Sequence, residues 1–147
     1  HHCRKSPFSC VNQQIWKMFT VEQVIDANQQ LLDSIASCDY ETYKLLCADD
    51  LTCFEPESNG ILVQGLEFHK YYFDLSEKMP PPTFKTNITM SNPHVRFCGN
   101  DCAVISYTRV DQTFNAEQKP ITKTVSETRI WEVRDDALVH VHFHKSP

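Results

Sequence analysis

From Thr20 onward, the apolar positions Val21, Val24, Ile25, Leu31, Leu32 and Ile35 recur near the helical repeat, which predicts an amphipathic helix of about seventeen residues. Thr20 and Gln23 stand at capping-box spacing and mark its start. Asp39 is placed to cap a second, shorter helix carrying Tyr40, Tyr43, Leu46 and Cys47. "LTCFEPES" reads as a short extended piece stopped by Pro56, and "LEFHKYYFDLS" after Gly65 as a third helix bearing Phe68, Tyr71, Tyr72 and Leu75. Residues 3–19 show no firm periodicity, although Ile15, Trp16 and Phe19 are apolar enough to lie against something. Residues 1–19 therefore read as a leader or linker, with His1 and His2 fitting the remnant of a purification tag.

Past the breaker "MPPP" the pattern changes period. "TFKTNITM", "HVRFC", "CAVISYTRVDQTF", "ITKTVSETRIWEVR" and "ALVHVHFHK" are β-branched and aromatic runs, separated by the turn candidates "SNP", "GND", "NAEQKP" and "DDA". Helices first and consecutive hairpins afterwards predict an α+β domain over residues 20–147, with a long antiparallel sheet curling around the leading helix.

Composition narrows the function classes. The 147 residues are 41% hydrophobic with a formal charge of -5, which suits one core and leaves no basic stripe for nucleic acid. No apolar run approaches the roughly 18 residues that span a bilayer. The seven cysteines include no paired CxxC units, and most stand among apolar residues. They are expected to be reduced and buried, in a cytoplasmic protein. Three glycines are too few and too scattered for a phosphate-cradling loop, and no kinase catalytic motif or serine nucleophile elbow is present.

Strand parity suggests a site, because residues two apart share a face. One face of "CAVISYTRVDQTF" carries Ala103, Ile105, Tyr107 and Arg109. One face of the next carries Val125, Arg129, Trp131 and Val133, with Glu127 nearby. The last strand places Val139, Val141 and Phe143 on its apolar face, followed by Lys145. If the sheet curves, Arg109, Arg129 and Lys145 converge over an apolar floor, an arrangement suited to a carboxylate or phosphate. The competing expectation is that these cations pair with Glu55, Glu57, Glu67 or Glu127. By the same parity His140, His142 and His144 point away from the core. Their spacing of roughly 6–7 Å from one to the next is too wide for all three to hold one metal, so no metal site is assigned.

The motifs "DYETYKLLCADDLTCFEPES", "LVQGLEFHKYYFD", "NPHV", "AVISYTRVDQ", "SETRIWEVRDD" and "VHFHKSP" occur in order from about Thr20 to the end. Together they resemble the association, or hub, domain of calcium/calmodulin-dependent protein kinase II. The resemblance implies a cone-shaped nuclear transport factor 2-like fold and a non-catalytic, cofactor-free role in oligomerisation. It implies self-assembly into a ring of about twelve to fourteen or more subunits built from dimers, tethering kinase domains at high local concentration. It also implies an anion pocket formed by Arg109, Arg129, Lys145 and His69, open to a small carboxylate or a kinase or regulatory segment of the same protein; strand parity adds Tyr107, Trp131, Phe143 and Glu127 as its expected lining. Lys145 stands where the family usually has arginine, which keeps the charge and loses the bidentate fork. The alternative on this fold is a small-molecule enzyme of the isomerase or dehydratase type, with His69 and Glu127 or Tyr107 as its acid–base pair.

Overall fold

A computed structural model of the chain describes residues 19–147. All of the expected leader but Phe19 lies outside the described residues. Helix α1 (Val21–Ala36) opens with the capping box read from the sequence, Thr20 accepting from the Gln23 amide and Gln23 accepting from that of Thr20. Helix α2 (Tyr40–Leu46) is capped by Asp39, which accepts from the Thr42 amide. Cys47, expected at its end, instead begins strand β1 (Cys47–Phe54). The chain then makes a one-turn 3-10 helix (Pro56–Ser58) and a two-residue strand, β2 (Val63–Gln64), too short to register as a sequence pattern.

Helix α3 (Glu67–Glu77) follows Gly65, whose φ of +78° is costly for any side chain bearing a Cβ. The Gly65 amide donates to the Leu51 carbonyl at 2.7 Å. That bond ties the start of α3 to β1 and so sets where His69, near the N-terminal end of the helix, can reach.

The remaining strands are β3 (Asn87–Phe97), β4 (Cys102–Phe114), β5 (Pro120–Arg134) and β6 (Ala137–Ser146). "TFKTNITM" and "HVRFC" were expected as two strands parted by a turn at "SNP". They form one strand with a register shift between Ser91 and His94, where Asn92 adopts φ 55°. A bulge absorbs the irregular residues without ending the pairing. The β5–β6 turn is the two-residue pair Asp135 and Asp136, both with positive φ, as a tight hairpin requires.

The six strands form one curved sheet in the order β2-β1-β6-β5-β4-β3. Neighbours pair antiparallel except β1 with β6, which run parallel. The long-range partner of β1 has no signature in its own residues, so this pairing was not anticipated. The inward face carries Ala103, Ile105, Tyr107, Trp131 and Phe143, packed with Val24, Leu31 and Leu32 of α1. Each such fully buried aliphatic or aromatic side chain contributes about 1.5–3 kcal/mol. Asn28 is polar and fully buried on the same helix. It accepts from the Trp131 indole N–H at 3.0 Å, and its amide contacts Met90 Sδ at 3.1 Å, so α1 is latched to both β5 and β3.

A second bulge revises the reading of the last strand. Trp131 pairs with His140 while Ile130 pairs with His142, leaving Val141 as the extra residue. Parity inverts across it. His140 therefore turns inward and is fully buried, contrary to the expectation that all three histidines face outward. His142 and His144 do lie on the outer side, His142 Nδ1 2.7 Å from Thr52 Oγ1 and His144 exposed. The cysteines also divide. Cys47 and Cys53 are buried as expected, whereas Cys38 and Cys98 are exposed and Cys102 is partly covered; Cys3 and Cys10 lie outside the described residues.

Candidate functional site

The apolar faces of β4, β5 and β6 meet α2 and α3 around a cavity of about 280 Å³. Arg109, Glu127, Arg129, Phe143 and Lys145 line it from the sheet, and His69 lines it from α3. Tyr107 and Trp131, expected in the lining, sit behind it. Trp131 is fully buried and spends its indole N–H on Asn28. Tyr107 donates to Glu127 Oε1 at 2.7 Å and accepts from Arg129 Nε at 3.0 Å, so it orients two lining residues without contacting the cavity.

The cations converge, and each already has an acid. Glu127 Oε2 lies 3.0 Å from Arg129 Nη2 and 3.4 Å from Arg109 Nη1. Arg109 also holds Asp111 through Nε and Nη2, at 2.7 and 3.0 Å. Lys145 Nζ donates to Glu57 Oε1 at 2.7 Å, and His69 Nε2 lies 2.7 Å from Glu55 Oε1. Thus the convergent cavity and the ion pairs, set against each other in the sequence reading, occur together; of the four anticipated acids, Glu127 and Glu57 pair with Arg109, Arg129 and Lys145 among the described residues, whereas Glu55 meets His69 and Glu67 takes no such pair. Glu127, inserted between Arg109 and Arg129, lets two guanidinium groups share one small space.

The electrostatics follow from burial. Burial opposes charge on Arg129, yet the adjoining Glu127 carboxylate more than offsets it and holds the guanidinium firmly protonated. Burial likewise pushes the Glu127 carboxyl upward, and Arg129 and Arg109 overcome this to hold it below its ordinary value. Burial pushes the Tyr107 hydroxyl up to about 12, so it remains a donor. His140, beside Arg129 Nη1 at 3.4 Å, is driven well below its ordinary pKa first by burial and then by that positive charge, and is neutral. The Arg129 guanidinium lies 4.2 Å from the Phe143 ring centroid, a cation–π contact in a desolvated setting.

Lys145 and Glu57 form the most accessible of the cavity's pairs, their side chains 16% and 43% exposed. Burial raises the Glu57 carboxyl, but the Lys145 hydrogen bond prevails and leaves it lowered. An incoming anion meets this pair first and must compete with Glu57 for the ammonium. The deeper arginine pair is neutralised largely by Glu127 and Asp111.

The suggested acid–base pair of His69 with Glu127 or Tyr107 does not form. The tether at Gly65 places His69 over β1, where it meets Glu55, while Glu127 is occupied by Arg109, Arg129 and Tyr107. Cys53 Sγ lies 3.8 Å from the same His69 Nε2, and the ligand atoms of Cys53, Glu55 and His69 all lie within 4.8 Å of one another, close enough to hold a metal ion. The Cys53 thiol is pushed up to about 12 by burial, so a metal would have to displace its proton. Because thiol and carboxylate face one ring nitrogen, no relay from carboxylate through imidazole to sulfur exists. His69 Nδ1 is buried and has no hydrogen-bond partner among the described residues.

Sequence reasoning missed Tyr43 and His140. Tyr43 lines the cavity from α2 and looked like one more apolar helix position. The displacement of His140 depends on a bulge that no residue in β6 announces.

Helices followed by a curved sheet with its cavity on the inner side define the nuclear transport factor 2-like class. An NTF2-like protein from Cytophaga hutchinsonii shares this fold at 21% identity, with a TM-score of 0.69 over 88% of this chain and 98% of that one. The resemblance becomes specific at the family level. The family described as calcium/calmodulin dependent protein kinase II association domain matches residues 20–147, and the chain belongs to it. The hub homology domain of the kinase from Chlamydamonas reinhardtii is 46% identical, with a TM-score of 0.78 over 85% of this chain and 95% of that chain. Calcium/calmodulin-dependent protein kinase type II of Caenorhabditis elegans is 37% identical over 125 residues, and the delta subunit of Oryctolagus cuniculus is 39% identical over 127. Each match covers 85% of this chain but only 17% and 23% of those proteins, less than a quarter of their length. Membership in the association-domain family supports a role in oligomerisation. None of the described helices is long and apolar enough to cross a membrane.

Proposed function

We propose that this chain is an assembly hub. It pairs into dimers, and the dimers close into a ring of about twelve to fourteen subunits. Attached kinase domains are thereby held at an effective concentration that favours phosphorylation between neighbours. The observation that carries this reading is the family match spanning residues 20–147. The described surface supports it: Leu45, Ile61, Tyr71 and Met79 are all more than half exposed, and Phe84 stacks on Phe114 with ring centroids 4.2 Å apart while both stay open to solvent. Ring contacts need such apolar area.

The cavity is a second feature of the same reading. It accepts a small carboxylate, or a carboxylate side chain of a kinase or regulatory segment, which takes Lys145 from Glu57 and is steadied by Arg109. Arg129, almost fully buried in the cavity wall, supplies field and shape.

Native mass spectrometry of the purified chain at micromolar concentration tests the assembly. Particles of about ten or more subunits are expected; a monomer or an isolated dimer overturns the hub reading.

A further inference from the structure

The turn joining β3 to β4 is flanked by two cysteines that the cavity does not use. Strand pairing runs outward through Phe97 with Ala103, so Cys98 and Cys102 are the next facing residues. The Cys98 amide donates to the Cys102 carbonyl at 2.8 Å. Only three residues separate them, and the first, Gly99, takes a φ of +72° to close so short a turn. Facing residues on antiparallel strands carry Cβ atoms about 4.5–5.5 Å apart, and a disulfide asks for about 3.5–4.5 Å with Cα atoms at about 4.4–6.8 Å. The difference is small and falls at the free end of a hairpin. The Cys102 thiol is held protonated first by burial and then by its neighbour Cys98.

Access separates this pair from the core thiols. Cys98 is exposed and Cys102 partly covered, whereas Cys47 and Cys53 are buried and held protonated, each pushed up to about 12 chiefly by burial. A thiolate is the attacking species in disulfide exchange, so an oxidant in solution meets the hairpin pair before the core thiols.

We propose that Cys98 and Cys102 form a reversible intrachain disulfide by exchange with a low-molecular-weight disulfide such as oxidised glutathione. The Cys98 thiolate attacks one sulfur of the small disulfide, forming a mixed disulfide and expelling one thiolate. The Cys102 thiolate then attacks the Cys98 sulfur, closing the protein disulfide and expelling the second. The protein gives up two protons and two electrons, and the small disulfide leaves as two thiols. The bridge clamps a structurally connected hairpin end. The Asp101 carbonyl accepts from the Val133 amide at 2.8 Å, and Cys102 shares a small cleft with Phe19, Phe97, Val133 and Leu138. The redox state is therefore set beside Phe19, just before the chain enters α1.

The test treats the fully reduced chain with excess oxidised glutathione under native conditions, blocks remaining thiols with N-ethylmaleimide, and analyses tryptic peptides. Cleavage after Arg96 and Arg109 places both cysteines in the single peptide "FCGNDCAVISYTR". The expected wild-type result is that this peptide loses two hydrogens, carries neither maleimide nor glutathione, and recovers two labelling sites after dithiothreitol. In Cys98→Ser or Cys102→Ser, the remaining thiol should instead retain a glutathione adduct. A wild-type peptide that keeps maleimide or glutathione on either cysteine, or is cross-linked to a peptide containing Cys3, Cys10 or Cys38, overturns the proposal.

Discussion

Replacing Glu127 with Gln isolates the central electrostatic feature of the cavity. The substitution keeps the shape and leaves an oxygen that can accept from Tyr107, but it removes the only carboxylate within hydrogen-bonding reach of Arg129 among the described residues. The Arg129 side chain is 2% exposed and that of Glu127 is 0% exposed, so water cannot substitute for the lost charge. Breaking a buried ion pair from one side costs about 3–5 kcal/mol. At roughly 2–4 °C per kcal/mol for a chain of this size, the transition should fall by about 6–20 °C. Urea unfolding and calorimetry at fixed protomer concentration measure the loss without mixing it with mass action. Adding Arg129→Met to Glu127→Gln removes both charges, while Arg109 keeps Asp111, so the double variant should recover most of the stability. The pH dependence supplies a sign check. Because the folded Glu127 carboxyl is held below its ordinary value of 4.5, its contribution is complete above that value and is lost as pH falls through the lowered one. The gap between wild type and Glu127→Gln should therefore close in acid. A single variant within about 0.5 kcal/mol of wild type at neutral pH would refute the claim that Glu127 is what allows the two arginines to coexist.

His140 is buried neutral, so its folded pKa lies below its ordinary 6.5 and its contribution is present above pH 6.5 and lost as pH falls below it. His140→Gln should flatten the decline in stability measured by urea midpoints between about pH 7 and pH 5; an unchanged slope would assign that decline to other groups. At the cavity mouth, Glu57→Gln frees Lys145 and should tighten binding of a small carboxylate probe such as succinate, by about 1 kcal/mol or roughly fivefold in calorimetric titration. Lys145→Met should weaken it with assembly unchanged by light scattering, and equal affinities in both variants would remove Lys145 from the site.

The local signals in the chain were strong where a physical rule acts over a few residues. The capping box at Thr20 and Gln23, the Asp39 cap, the period change past "MPPP" and the alternation on β4 and β5 each follow from near-neighbour sterics and solvation, so they were legible without coordinates. So was the shared face of Arg109, Arg129 and Lys145, since side-chain parity is a property of one strand at a time. The family motifs added the fold class and the oligomerisation role. What lay beyond reach depends on distant partners. The parallel pairing of β1 with β6 brings together residues about ninety positions apart. The bulge at Val141 inverts parity midway along β6 and sends His140 into the core, because a single unpaired residue exchanges the two faces of everything on one side of it. Tertiary structure alone also assigned each basic side chain of the site its acid: Glu127 between two arginines, Glu57 on Lys145 and Glu55 on His69. A sequence shows that opposite charges are present. Which of them meet is decided by the registers of three neighbouring strands and by the glycine that sets the start of α3.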